Sequence, residues 1–123
     1  MKKIGIVLIT HGSLSQNYVK QVNDIAREVE RKLREYLKDI YIEVVTSYLH
    51  HQNPKPEEAI RILIDKKFEN IIVFSLFVVE GIHGREDTMK IVEKFENIKY
   101  AGTLWPDSRV IDIIVDKILR CIT

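Results

Sequence analysis

Four short apolar runs alternate with longer amphipathic segments, and this alternation restricts the fold more than any other feature of the chain. The first run, residues 4–10, is apolar at almost every position, which is typical of a strand covered on both faces. In the segments between the runs, apolar residues recur three and four apart, which predicts helices. We predict strands at 4–10, 40–48, 70–77 and 98–104, and helices at 16–37, 56–67, 85–95 and 106–121.

Strands that alternate with crossover helices form a parallel sheet with right-handed connections. We therefore expect one α/β domain over residues 1–123, a three-layer sandwich built on a four-stranded parallel sheet in the order 2-1-3-4. In that order the winding reverses between strands one and three. Ligands bind at such a switch point, at the carboxyl edge of the sheet.

Composition argues against several classes of protein. The formal net charge of +1 lacks the strong basic excess of a nucleic-acid-binding protein, so we expect no nucleic-acid partner. The single cysteine, Cys121, cannot form an internal disulfide, and it fits a reducing cytoplasm. The first residues lead into a strand rather than a signal peptide, and no apolar run reaches membrane-spanning length. We expect a cytoplasmic protein without a membrane partner.

Two histidines follow the strands that flank the switch point. His11 comes directly after the first strand, and His83 follows the third. Each one alone is also compatible with a turn histidine that bonds only to backbone groups. Together they place two imidazoles from distant parts of the sequence on one rim, where they can hold a divalent metal and accept protons.

Residues beside the two histidines are candidates for binding a substrate. Gly12 permits close backbone approach, and Ser13 with the following helix start offers donors to an anion. Gly81 gives the His83 segment a special backbone conformation and belongs to the same candidate set. Lys55 and Arg85 lie near the predicted rim, where they meet substrate carboxylates or are ordinary surface charges.

Three further residues have open roles. Glu80 and Asp87 either orient a metal-binding histidine through its far nitrogen or are solvated charges, and Asp87 is also a candidate helix cap. His50 leaves the same edge after the second strand. It is either a further metal ligand or, with His51, part of a polar loop.

Other binding motifs are absent from the sequence. There is no G-x-G-x-x-G after the first strand and no G-x-x-x-x-G-K-[ST], which argues against dinucleotide and P-loop folds. The turn Thr10-His11-Gly12 also lacks the arginine that precedes the histidine in histidine phosphatases. A phosphatase function is therefore disfavoured.

Four segments together resemble the small, single-domain sirohydrochlorin metallochelatases, the short class II chelatases of tetrapyrrole biosynthesis. The resemblance extends over nearly the whole chain. It rests on the strand-one ending 10–13 (Thr-His-Gly-Ser), on the segment 77–83 followed by Asp87, on the helix start with Pro54, Glu58 and Ala59, and on the tail 107–112. The His-Gly-Ser turn alone is weak, but its combination with G-[IL]-H-x-x-x-D at this spacing is fairly specific.

The resemblance implies a function and an assembly. It implies that His11 and His83 are the catalytic histidines, which handle the incoming metal and take protons from the pyrrole nitrogens. It implies Co²⁺, Ni²⁺ or Fe²⁺ and a sirohydrochlorin-type tetrapyrrole as substrates, with no permanently bound cofactor. Because larger relatives fuse two copies of this half-unit, it also implies a homodimer.

The chain departs from the family pattern in three places. Asn53 stands where relatives often carry an acidic residue before the proline. His50 stands where relatives often carry a glutamate, so that His11, His83 and His50 form a three-histidine metal site if His50 points inward. Strand four ends in Gly102-Thr103-Leu104-Trp105 rather than in Glu-Pro-[Ile/Leu]-Gly. These departures leave open an alternative, a non-catalytic metal or tetrapyrrole carrier with the same fold.

The last predicted helix is apolar over a broader arc than one sheet face needs, from Val110 to Ile122. We expect core packing to account for most of this arc. Either a dimer contact or a low demand for solubility near a terminus accounts for the remainder.

Overall fold

The fold is an α/β sandwich around a parallel sheet, as the alternation predicts. The computed structural model describes the backbone of residues 2–122 and the side chains of all of these except residues 82 and 83. The strand order is β2-β1-β3-β4, which confirms the expected topology. The strands are β1 Lys2–Thr10, β2 Ile40–Tyr48, β3 Asn70–Ser75 and β4 Ile98–Gly102, and the helices are α1 Gln16–Tyr36, α2 Pro56–Asp65, α3 Gly81–Val92 and α4 Ser108–Ile122.

The register brings the carboxyl ends of the first three strands to one level. Along β1, Thr10 lies opposite Tyr48 of β2, and Ile9 lies opposite Ser75 of β3. Backbone hydrogen bonds continue past these ends, since the N–H of Leu49 donates to the Thr10 carbonyl over 2.9 Å. The segment after β1 is therefore held between the segments that follow β2 and β3.

Two apolar clusters cover opposite faces of the sheet, because successive side chains of a strand point to opposite sides. On one face α2 and α3 pack on β1 and β3, and on the other α1 packs on β1 and β2. Gly5 lacks a side chain where α2 comes closest, since a Cβ there would lie 2.7 Å from a methyl group of Leu63. The buried members of the first cluster include Val7, Ile9, Ala59, Ile60, Leu63 and Val73, and those of the second are Ile6, Leu8, Ala26 and Ile42.

The third helix begins four residues earlier than predicted. Gly81 has a φ of +73°, which turns the chain directly from Glu80 into α3. Residue 83 therefore lies in the first turn of the helix rather than in a preceding turn. The prediction that Asp87 caps this helix is wrong, because Glu80 occupies the cap position.

The predicted core packing of the last helix is wrong. No described residue of α4 is buried, and from Ile111 onward every described side chain is exposed. The amphipathic pattern predicts the helix correctly, but the helix does not fold back onto the sheet.

Within residues 2–122, no helix combines the length and the hydropathy needed to cross a membrane.

Replacing Leu63 by alanine tests the core beneath α2. Leu63 is fully buried, so Leu63→Ala should lower the free energy of unfolding by about 3 kcal/mol through the cavity that it leaves. Ile62 is the matched control on the same helix, because it is 40% exposed and its truncation should cost less than about 1 kcal/mol. Urea unfolding of both variants measures the difference. Equal losses would contradict this packing of α2.

Candidate active site

His11 lies exposed at the carboxyl end of β1, and its ring is held from one side. The imidazole stacks on Phe77, with the ring centroids 4.1 Å apart and the planes inclined by 22°. Phe77 is itself 7% exposed, so the surface beneath the imidazole is fixed by the core. A stack uses the face of the imidazole, and the two ring nitrogens bond in the ring plane, where a metal or a proton can reach them.

The backbone of His11 is joined to that of His50. The N–H of His50 donates to the His11 carbonyl over 2.9 Å, which places the segments after β1 and β2 side by side. Between them Gly12 has a φ of +93°, and a Cβ there would lie 1.8 Å from the His50 carbonyl oxygen. Only glycine fits this approach. The structure thus brings two exposed histidines to the same rim, and the role of Gly12 in binding a substrate stays a prediction.

Gln52 holds the next residue of this turn. Its Oε1 accepts from the backbone N–H of Ser13 over 3.0 Å, and its Nε2 donates to the Ser13 carbonyl. The Ser13 N–H is therefore already used. The Ser13 Oγ accepts from the N–H of Ser15 over 3.1 Å, which leaves the hydroxyl proton as the donor that Ser13 can offer to an anion. No sequence motif marks Gln52, so sequence reasoning missed it.

Lys55 supports the loop from its other end. Its ammonium group donates to the Gln52 carbonyl, and its backbone N–H donates to the Glu58 carboxylate over 3.0 Å. These bonds fix the start of α2 against the loop after β2. The role of Lys55 in binding substrate carboxylates stays a prediction.

On the β3 and β4 side, Tyr100 connects Glu80 to the sheet. The Tyr100 hydroxyl is hydrogen-bonded to the Glu80 carboxylate and lies 2.8 Å from the Oγ of buried Ser75. Because a carboxylate only accepts, the tyrosine donates to Glu80 and receives from Ser75. Burial and the bond to Glu80 raise the pKa of Tyr100 to about 12. Tyr100 is a second residue that sequence reasoning missed, because nothing in its strand pattern distinguishes it from a packing residue.

An open cleft of about 480 Å³ lies beside this hydrogen-bonded group. Its lining includes Glu80, Gly81 and Arg85 around the start of α3, together with Tyr100 of β4 and Trp105 after it. Trp105 is 47% exposed, so the cleft offers a flat apolar surface together with the charge of Arg85. These are groups that can bind a planar molecule with carboxylates at its edge.

The predicted metal ligands are only partly described. The backbone of His83 lies in α3, but its side chain is outside the described part of the structure. Asp87 is exposed in α3. Among the described side chains, no group of three His, Cys, Asp or Glu residues converges on a metal position. The metal-binding roles of His11, His83 and His50, and the orienting roles of Glu80 and Asp87, therefore stay predictions.

The fold and this edge define a class of protein, an α/β unit with an exposed histidine at the end of β1 and an open cleft at the ends of α3 and β4. Comparison with known families makes the class specific. The model of the CbiX family matches residues 5–121, nearly the entire chain. The chain therefore belongs to the CbiX family.

Two named relatives agree with this assignment. A sirohydrochlorin cobaltochelatase of Sulfolobus acidocaldarius is 27% identical over 119 residues, which cover 93% of this chain and 89% of the relative. A second protein of that name, from Methanopyrus kandleri, is 22% identical over 143 aligned positions and covers 94% of each chain. The expected resemblance to the metallochelatases, and with it an enzyme of that class, is confirmed.

A solved structure supports the fold. A CbiX protein of Marinobacter aquaeolei, described as belonging to cobalamin (vitamin B12) biosynthesis, superposes with a TM-score of 0.72 at 20% identity. The match covers 97% of both chains.

Replacing Gly12 by alanine tests the close approach of the first two loops. The new Cβ would collide with a backbone oxygen, so Gly12→Ala should lower the free energy of unfolding by about 2 kcal/mol or more. Gly84→Ala is the matched control, because the nearest atom to its new Cβ is the flexible Glu80 Cγ at 3.6 Å. Alanine within α3 should be neutral or stabilise by up to about 1 kcal/mol. Urea unfolding measures both variants, and a harmless Gly12→Ala would contradict the loop geometry.

The raised pKa of Tyr100 predicts a pH dependence of stability. The folded chain holds this proton more tightly than the unfolded chain, whose tyrosine has the ordinary pKa of 10. The contribution is complete below pH 10 and is lost as the pH rises towards 12. Tyr100→Phe should therefore lose less stability over this interval than the wild-type chain, as measured by urea unfolding at each pH.

The exposed Tyr36 provides a matched control for this titration. Tyr36→Phe should follow the wild-type pH dependence. The same alkaline decline in the Tyr100→Phe chain would exclude a special environment for that hydroxyl.

Proposed function

We propose that this chain inserts a divalent metal ion into sirohydrochlorin, with His11 and His83 as the catalytic histidines. The observation that carries the proposal is His11, an exposed imidazole seated on Phe77 at the switch point of a CbiX fold. The names of the two chelatase relatives support the substrate.

The reaction exchanges two protons for one metal ion. As M²⁺ enters the ring it forms bonds to the pyrrole nitrogens, and the two N–H groups release two protons, so that charge is conserved. A neutral imidazole can bind the metal before transfer or accept a proton, because histidine changes its charge near neutral pH. We assign these tasks to His11 and His83, with His50 as a third metal ligand, since its backbone is bonded to that of His11.

The macrocycle needs a flat surface and positive charge at its edge. The cleft with Trp105 and Arg85 supports binding of one edge of the ring and its carboxylates. Gly12, the Ser13 hydroxyl and Lys55 provide further contacts on the other side of the rim, and Gly81 keeps the wall of the cleft free of a side chain.

Imidazole ligands suit Co²⁺, Ni²⁺ and Fe²⁺ alike. We favour Co²⁺, because both named relatives are cobaltochelatases. We also infer a homodimer, which the exposed apolar face of α4 supports. A cytoplasmic location stays a prediction from the lone cysteine.

Removing the His11 imidazole should abolish most of the activity. His11→Ala should lower the rate of insertion by about 100-fold or more, the usual contribution of a general base. The exposed position of His11 should leave the fold intact, as far-UV circular dichroism checks. The assay is the anaerobic absorbance change of sirohydrochlorin with Co²⁺, and then with Ni²⁺ and Fe²⁺.

The neighbouring His51 is the matched control, because it is also exposed and has no assigned role. His51→Ala should keep the wild-type rate, and His50→Ala should fall between the two. An unchanged rate in His11→Ala would reject the catalytic role. If the wild-type chain binds metal or macrocycle stoichiometrically without a rate above the spontaneous reaction, it is a carrier rather than an enzyme.

A further inference from the structure

One half of the sheet is covered on a single face. In β3, Ile71, Val73 and Ser75 are buried, whereas Ile72 and Phe74 on the opposite face are only half-buried. The alternation continues in β4, where Lys99 and Ala101 are exposed on that same opposite face. A parallel sheet is normally buried on both faces. Here Ile72 and Phe74 pack only at the edge of the α1 cluster, and no described helix extends over the β3–β4 face, defined by Ile72, Phe74, Lys99 and Ala101.

Helix α4 carries an exposed apolar face. Its apolar residues recur at spacings of three and four, which gives a continuous apolar stripe along 15 residues. A helix of this kind is normally stabilised by packing its apolar face against another element. The members of the stripe are Ile111, Ile114, Val115, Ile118 and Ile122, which are 44% to 74% exposed.

The origin of α4 lies beside the β3–β4 face, but the helix does not close over it. The N–H of Trp105 donates to the Val78 carbonyl over 2.9 Å, and Asp107 accepts from the backbone N–H of Arg109 over 2.9 Å. These bonds fix the point from which the helix departs. An apolar cleft of about 650 Å³ remains there, and its lining includes Phe74 of β3 and Ile114 of α4.

We propose that α4 is exchanged between two copies of this chain, so that the stripe of each helix packs on the β3–β4 face of the partner. A two-fold axis then buries the apolar stripe and the β3–β4 face of both copies. Exchange of an identical element is a low-cost route to a dimer. The apolar surface exposed on a single copy is of the kind that marks an interface. The charges also match at one position, since Lys99 stands on the β3–β4 face and Asp112 borders the stripe.

The inference rests on the proposed homodimer but not on the proposed chemistry. A dimer without exchange would leave the homodimer standing, and failure to insert metal would leave the exchange standing. The decisive measurement is therefore covalent connectivity rather than activity.

A disulfide between the two surfaces distinguishes the partner's helix from the chain's own helix. In a Cys121→Ser background, Lys99→Cys combined with Ile118→Cys should oxidise to a covalent dimer on a non-reducing denaturing gel. Peptide mass mapping should then find residues 99 and 118 joined. Each single-cysteine variant is a control and should remain a monomer band.

Three results would overturn the exchange: a disulfide within one chain, no disulfide in a chain that light scattering shows to be a dimer, or a native mass of one chain.

A charge within the stripe provides an independent test. Ile118→Asp should shift the native mass from two chains to one while the far-UV circular dichroism of the sandwich persists. Lys117→Asp changes the neighbouring exposed position of the same helix and should leave the dimer intact. If both variants keep the wild-type mass, the stripe is not part of the interface and the exchange is excluded.

Discussion

The candidate site depends on one backbone contact, the approach of Gly12 to the His50 carbonyl. The contact is possible because the ladder between β1 and β2 continues past the strand ends, through Thr10 to Leu49 and through His11 to His50. Buried hydroxyls reinforce the same seam, since Thr10 Oγ1 donates to the Ser47 carbonyl over 3.1 Å. His11 is consequently placed by sheet hydrogen bonds as well as by its stack on Phe77. A side chain at position 12 would separate the two histidine-bearing segments.

The two sides of the switch point present different chemical groups. On the β1–β2 side, the imidazoles of His11 and His50 belong to two backbone segments that are hydrogen-bonded to each other. This arrangement suits a reaction in which a metal must be held in a defined position. The β3–β4 side carries a cleft with a charge and an indole, which suits recognition of a larger planar molecule.

Sequence reasoning predicted the sheet order and the position of His11, because strand periodicity and parallel topology determine which segments leave the same edge. It could not find Gln52 or Tyr100, since their roles come from hydrogen bonds between distant segments that leave no pattern in the chain. It also misplaced the start of α3, because Gly81 reads as a loop glycine although its positive φ starts the helix. The error at α4 had a different cause. An amphipathic pattern predicts an apolar face but does not say which molecule covers it.

The Gln52 amide has a further consequence for how the site adapts to its ligands. By bonding both the N–H and the carbonyl of Ser13, this side chain acts like one residue of an additional strand. The loop after β1 and the loop after β2 are therefore joined to each other at the edge of the sheet. Any adjustment of this edge to a bound molecule is then expected on the opposite wall, where the side chains of Arg85 and Trp105 line the cleft.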